Sequence, residues 1–186
     1  MEIVDLPLAG LKLVKPRVFA DPRGFFVETW RRDVFAQAGI AIDFVQDNHS
    51  RSAKDTVRGL HFQRPGAQGR GQSKLVRASR GRVFDVAVDV RPESPTYLKW
   101  HGEVLDDTSH HALFVPVGFA HGFCVLSESA DVCYRVDAYY DPSAEIGFAF
   151  DDPLVGVAWP VSRSEAILSR RDQEARPYRE VATEKP

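Results

Sequence analysis

Short runs with period-two alternation, closed by turn signals every few residues, constrain this chain more than any other feature. Val83 to Val90 is the clearest: Val83, Asp85, Ala87 and Asp89 fall on one face, and Phe84, Val86, Val88 and Val90 on the other. Leu75 to Ser79 precedes it across Arg80-Gly81, which predicts a hairpin. Further strands are predicted over Lys12 to Val18, Phe25 to Trp30, Phe44 to His49, Val57 to Gln63, Tyr97 to Leu105, Ala112 to Val115, Gly122 to Leu126, Asp131 to Asp137 and Ile146 to Phe150. The punctuation between them is Asp21-Pro22-Arg23-Gly24, Arg91-Pro92, Asp106-Asp107, Asp141-Pro142 and Asp151-Asp152-Pro153. Helical signal is confined to Arg32–Ala38, stopped by Gly39, and to the tail from Ser164 to Glu174. Strands without βαβ alternation argue against a parallel sheet, so the expectation is one all-β domain over residues 1–186, a jelly-roll barrel with a few short helices. Barrels of this kind hold small ligands in their mouths.

The 186 residues carry a net charge of -2 with no block of like charge, which argues against a nucleic-acid partner. No apolar stretch reaches membrane-spanning length, and Met1 to Leu13 lacks the pattern of a signal peptide. With only Cys124 and Cys133, the sequence predicts a cytoplasmic protein with two reduced thiols, placed where they could face each other across a hairpin.

Polar residues on strands carry the functional signal. In Arg58-Gly59-Leu60-His61-Phe62-Gln63, period two puts Gly59, His61 and Gln63 on one face. A lone strand histidine is most often a hydrogen-bonded structural residue, but several polar positions on one face suggest a polar cavity. Pro116-Val117-Gly118-Phe119-Ala120-His121 resembles the second half of the cupin signature, whose histidine often binds a metal. A tight site wants three or four protein ligands, and position 63 is Gln where a His-x-His pair would need histidine; the expectation is no metal. Tyr134 reads either as an ordinary strand residue or as a phenolic proton donor. Tyr139 and Tyr140 read as covers for the barrel end or as stacking partners for a flat ring. The cations at Arg23-Gly24, Arg58-Gly59, Lys74 and Arg170-Arg171 read as surface charge or, for the arginines, as forks for a diphosphate.

Taken in order along the chain, several motifs resemble the dTDP-4-dehydrorhamnose 3,5-epimerase family. They are Asp21-Pro22-Arg23-Gly24-Phe25-Phe26, Gln46 to Ser50, Arg58 to Gln63, Lys74-Leu75-Val76, Val83 to Asp89, Ser94-Pro95-Thr96, Pro116 to Phe123, Tyr139-Tyr140, Asp152-Pro153, Trp159-Pro160 and Leu168-Ser169. The resemblance runs from about Leu6 to Asp172. It implies a cupin-type jelly roll, a homodimer formed by strand exchange, and no cofactor. It also implies inversion at C3 and C5 of a dTDP-linked 4-keto-6-deoxy sugar. A C4 ketone acidifies both neighbouring C–H bonds, and a neutral histidine can accept such a proton near working pH. By resemblance, His61 is the base, Asp172 orients it, Tyr134 donates a proton on the opposite face, and Lys74 lies beside the C4 oxygen. His121 would touch the sugar or a phosphate. Arg23, Glu28, Gln46, Asn48, Arg58, Glu145 and Arg171 occupy nucleotide-sugar contact positions, with Arg23 supplied by the partner subunit and Tyr140 stacked on thymine.

Two departures from the family pattern are a longer glycine-rich stretch, Arg64 to Ser73, and Arg171 where lysine is usual. Other readings that remain open are a single-centre epimerase acting at C3 or C5, a metal-dependent cupin enzyme, and a non-catalytic nucleotide-sugar binding module.

Overall fold

The computed structural model describes residues 1–66 and 69–182. Its strands, in chain order, are β1 (Glu2–Asp5), β2 (Lys12–Lys15), β3 (Val18–Asp21), β4 (Gly24–Val27), β5 (Gln46–Ala53), β6 (Val57–Gln63), β7 (Pro65–Gly66), β8 (Gly69–Arg70), β9 (Lys74–Arg80), β10 (Arg82–Asp89), β11 (Trp100–Asp106), β12 (Ala112–Val115), β13 (Phe119–Val125), β14 (Ser129–Val136) and β15 (Glu145–Gly147). Three short helices complete the set: α1 (Arg32–Gln37), α2 (Arg170–Gln173) and α3 (Tyr178–Ala182).

One sheet has six strands in the order β1-β2-β12-β9-β14-β5, and the other has five in the order β11-β10-β13-β6-β15. From β5 onward, successive strands of the two sheets lie in opposite ones except for β10-β11, as in a jelly roll. The inner faces meet in one core. Leu13, Val76, Ala78, Leu113 and Val132 from the six-stranded sheet pack with Val83, Ala87, Phe119, Phe123 and Val125 from the five-stranded one. The outer faces are covered too. Phe35 of α1 lies with Val14, Leu75 and Phe114, while Tyr178 and Val181 of α3 lie with Leu60, Val86, Val88 and Phe148. Covering on both sides explains why β12 and β13 are buried along their whole length.

The alternation expected in β10 holds: Val83 and Ala87 enter the central core, while Val86, Val88 and Val90 face the tail. The hairpin expected across Arg80-Gly81 does not form. β9 and β10 belong to different sheets, so this turn carries the chain from one layer to the other. Gly81 suits it, since its φ is +74° and a Cβ there would meet the Ser129 carbonyl at 2.2 Å.

The same layering corrects the cysteine pairing. Cys124 is on β13 and Cys133 on β14, in opposite sheets, and both thiols are free. Burial pushes the Cys124 thiol up to about 11. The strand expected over Lys12 to Val18 breaks at Pro16-Arg17, and the helix expected from Ser164 to Glu174 shrinks to α2. A two-stranded ribbon, β3-β4, stands outside both sheets. The Arg64–Ser73 stretch forms a small ribbon, β7-β8, whose residues 67 and 68 lie outside the described residues. No described helix is long and apolar enough to cross a membrane.

Candidate active site

On the five-stranded sheet, His61 of β6 and His121 of β13 are directly opposed. Opposed residues of neighbouring strands share a face, and Phe119 and Phe123, two positions either side of His121, lie in the central core. Both histidines therefore point into the barrel. Each is held by a carboxylate. His61 Nε2 lies 2.6 Å from Asp172 Oδ1, and His121 Nε2 lies 2.9 and 3.0 Å from the two oxygens of Asp85.

Burial pushes the Asp172 carboxyl up, but the bonds from His61 and Ser169 together with nearby Arg171 outweigh it, and the net shift is downward. Asp172 is thus an acceptor. His61 Nε2–H donates to it, which leaves Nδ1 with the free lone pair.

The face expected for β6 needs correction. His121 opposes His61 but Phe123 opposes Arg58, so three residues of β6 match two of β13. This bulge at Gly59 changes the parity and brings Arg58 to the face of His61, where strict alternation would put it outside. The backbones there are close enough that a Cβ on Gly59 would sit 2.6 Å from Gly122 Cα, and Gly59 φ is +133°. Arg58 donates to Ser52 Oγ at 3.0 Å. Gln63, read as part of the polar face, accepts the Asp141 N–H at 2.8 Å and anchors the loop before β15.

The six-stranded sheet supplies the other wall. Tyr134 of β14 opposes Val76 of β9 and Asn48 of β5, and it packs against the central core. One step toward the mouth, Lys74 and Gln46 flank Val136 on the same face. Burial pushes the Tyr134 phenol up; Glu145 adds to this and Arg58 opposes it. Burial pushes the Lys74 ammonium down against Glu145 and Asp85, which favour its charged form. Lys74, Tyr134 and His61 are therefore all coupled to Glu145.

Glu145 is the hub of the mouth. It accepts from the Tyr140 hydroxyl at 2.6 Å and from Arg171 Nη1. Burial pushes its carboxyl up, and Arg171, Tyr140 and His61 bring it below its ordinary range. Gln46 Nε2 donates to Asn48 Oδ1 at 2.8 Å, and the Tyr140 N–H donates to Gln46 Oε1 at 3.2 Å. Tyr140 is half exposed at the rim.

The fold thus gathers His61, Asp172, Lys74, Tyr134, Gln46, Asn48, Arg58, His121, Tyr140, Glu145 and Arg171 at one end of the barrel. Arg23 and Glu28 stay apart. Arg23 sits at the β3-β4 turn bonded to Asp21, its side chain 89% exposed, and Glu28 pairs with Arg31 at 3.9 Å. Two participants escaped the sequence reading. Asp85 was legible as a charge on the inward face of β10. Gly147 was not: it opposes His61, and a Cβ there would meet the ring at 3.0 Å, a contact visible only in three dimensions. Among the described residues, no three His, Cys, Asp or Glu side chains cluster as a metal site would require.

These features define a cupin-like barrel with titratable side chains on both inner walls. A profile of the dTDP-4-dehydrorhamnose 3,5-epimerase family matches residues 5–180, and the chain belongs to that family of isomerases. It is 46% identical over 92% of its length to the dTDP-4-dehydrorhamnose 3,5-epimerase of Neisseria gonorrhoeae, of which it spans about half (51%). A dTDP-4-dehydrorhamnose 3-epimerase of Streptomyces niveus is 41% identical over 94% of this chain and 83% of its own. The crystal structure of a dTDP-6-deoxy-D-glucose-3,5-epimerase of Legionella pneumophila, in complex with dTDP-4-keto-L-rhamnose, superposes with a TM-score of 0.88. That structure is 40% identical and covers 95% of this chain and 92% of its own.

Proposed function

We propose that the chain inverts C3 and C5 of dTDP-4-dehydro-6-deoxy-D-glucose, giving dTDP-4-dehydro-L-rhamnose without a metal or organic cofactor. The observation that carries this reading is the pairing of a carboxylate-held histidine on one inner wall with a half-buried tyrosine on the other. A sugar between the walls meets a base on one face and an acid on the other, which inversion requires.

His61 Nδ1 takes the proton from the carbon beside the ketone, and the C–H electron pair moves onto the C4 oxygen as an enolate. Lys74 stabilises that oxygen, and Asp172 stabilises the imidazolium. The enolate collapses back onto the carbon and takes a proton from the Tyr134 hydroxyl on the opposite face. Solvent then returns a proton to tyrosinate and removes one from His61. Arg58, Arg171, Gln46, Asn48 and His121 hold the diphosphate and sugar, with Glu145 and Tyr140 at the rim and Tyr140 stacked on the base.

The active unit in this reading is a cytoplasmic homodimer in which residues 1–186 form one domain. Its support is the β3-β4 ribbon, which exposes Phe19, Phe25 and Phe26 and carries Arg23 away from its own barrel. A partner accepting that ribbon would cover the aromatic rings and bring Arg23 and Glu28 to its own mouth.

The test is incubation with dTDP-4-dehydro-6-deoxyglucose in heavy water, followed by proton NMR. Deuterium at both C3 and C5 is expected. Exchange at one carbon alone would replace this reading with the single-centre one, which the Streptomyces niveus relative's 3-epimerase name favours. No exchange at either carbon would leave a binding module.

A further inference from the structure

We infer that Ser169 is a positioning residue for proton transfer, holding Asp172 in the one orientation that presents a carboxylate oxygen to His61. The inference rests on the reading of His61 as the base.

Asp172 is buried, and its two oxygens are divided between two partners. Oδ1 faces His61 Nε2 at 2.6 Å, and Oδ2 lies 2.8 Å from Ser169 Oγ. The Ser169 hydroxyl also accepts the Asp172 N–H at 3.1 Å as the N-cap of α2. A hydroxyl has one proton, and the carboxylate can only accept, so that proton goes to Oδ2. The backbone bond fixes the oxygen of Ser169, and the oxygen aims its proton. His61, Asp172 and Ser169 thus form a directed chain from the tail into the barrel.

Two bonds on one carboxylate resist its rotation about the Cβ–Cγ axis. Without the hydroxyl, Oδ2 is buried with no donor, and the group gains by turning away from His61 toward water or Arg171. His61 would then lose its orienting partner although every residue contacting the nucleotide remains. Proximity terms are sensitive to displacements of about an ångström.

Capping and donation separate by substitution. Ser169→Thr keeps both the acceptor and the donor. Ser169→Asp keeps the acceptor that caps α2 but has no proton to give and adds like charge beside Asp172. Ser169→Ala removes both. Each variant, with His61→Asn as reference, is assayed for kcat and KM in the deuterium-exchange reaction, for dTDP affinity by calorimetry and for its melting temperature. Ser169→Thr should stay within about threefold of the parent kcat, and Ser169→Asp and Ser169→Ala should fall by about tenfold or more at unchanged KM and dTDP affinity. Full activity in Ser169→Asp or Ser169→Ala would overturn the inference, because capping or nothing at all would then suffice. Loss of activity in Ser169→Thr at intact dTDP affinity would overturn it as well. Turnover by His61→Asn would refute the base assignment instead, so the two failures are distinguishable.

Discussion

Replacing Asp172 by asparagine removes one charge and changes almost nothing in shape, so its cost can be estimated from the geometry. When His61 has taken the substrate proton, an imidazolium faces a carboxylate across a 2.6 Å hydrogen bond, with Asp172 buried and His61 about a quarter exposed. Charge centres about 4 Å apart at an effective dielectric of about 20 interact by roughly 4 kcal/mol. The amide oxygen retains part of this as a hydrogen bond, which leaves a loss of about 3 kcal/mol. At 1.36 kcal/mol per factor of ten, kcat should fall by roughly a hundredfold. Affinity for dTDP should hold, because the bonds Asp172 makes are to His61 and Ser169. The assay is single-turnover deuterium wash-in at C3 and C5, with calorimetric titration of dTDP on the same preparations. A kcat within threefold of the parent, in a variant that binds dTDP normally, would show that Asp172 does not support the charge on His61.

Tyr134→Phe should still abstract a proton but fail to deliver one to the opposite face, so solvent deuterium should enter without full inversion; complete inversion at parental rate would remove Tyr134 from the mechanism. In Gly147→Ala the new Cβ would lie 3.0 Å from His61 Cδ2, so the ring must shift by a few tenths of an ångström, with kcat lower and the melting temperature nearly unchanged. Mixing Arg23→Ala with His61→Ala subunits, each inactive alone, should restore activity if Arg23 completes the partner's mouth, and mixtures that stay silent under exchange conditions count against the strand-exchanged dimer.

A fifth expectation concerns pH. Asp89, fully buried, accepts from Arg91, Ser94 and Thr96. Burial pushes its carboxyl up, but these bonds prevail and bring it from 3.8 down to about 2. A folded value below the unfolded one stabilises the fold above about pH 4, and the contribution is lost as pH falls toward 2. The size is about 2 kcal/mol. Urea midpoints across that range should drop in the parent and change less in Asp89→Asn.

Much of the barrel was legible because its strands obey a simple physical rule. Where one face meets the core, alternation appears, as in β10, and Val57–Gln63 and Ala112–Val115 were read with their observed limits. Sheet membership was not legible. Arg80-Gly81 is a tight turn whether the chain doubles back within a sheet or crosses to the facing one, since the local residues meet the same steric demand either way. The cysteine geometry failed for that reason. The tail was read too long at α2 and missed at α3, because these helices are held by capping at Ser169 and by Tyr178 against Phe148, not by helical periodicity.

The site shows the same division between local and nonlocal causes. Polar residues on inward faces are visible in a sequence, since a charge such as Asp85 interrupts an apolar series. Which residues share a face is visible only while alternation is unbroken. At Gly59 it breaks, and Arg58 and His61, three apart and assigned to opposite faces by period two, come to the same side. The cause is the approach of β13, where Gly59 and Gly122 let two backbones come closer than any side chain would permit. Had either position carried a Cβ, the bulge would be strained and Arg58 would turn from the mouth. The two glycines thus set the cationic side of the cavity, although neither has a group able to touch a ligand.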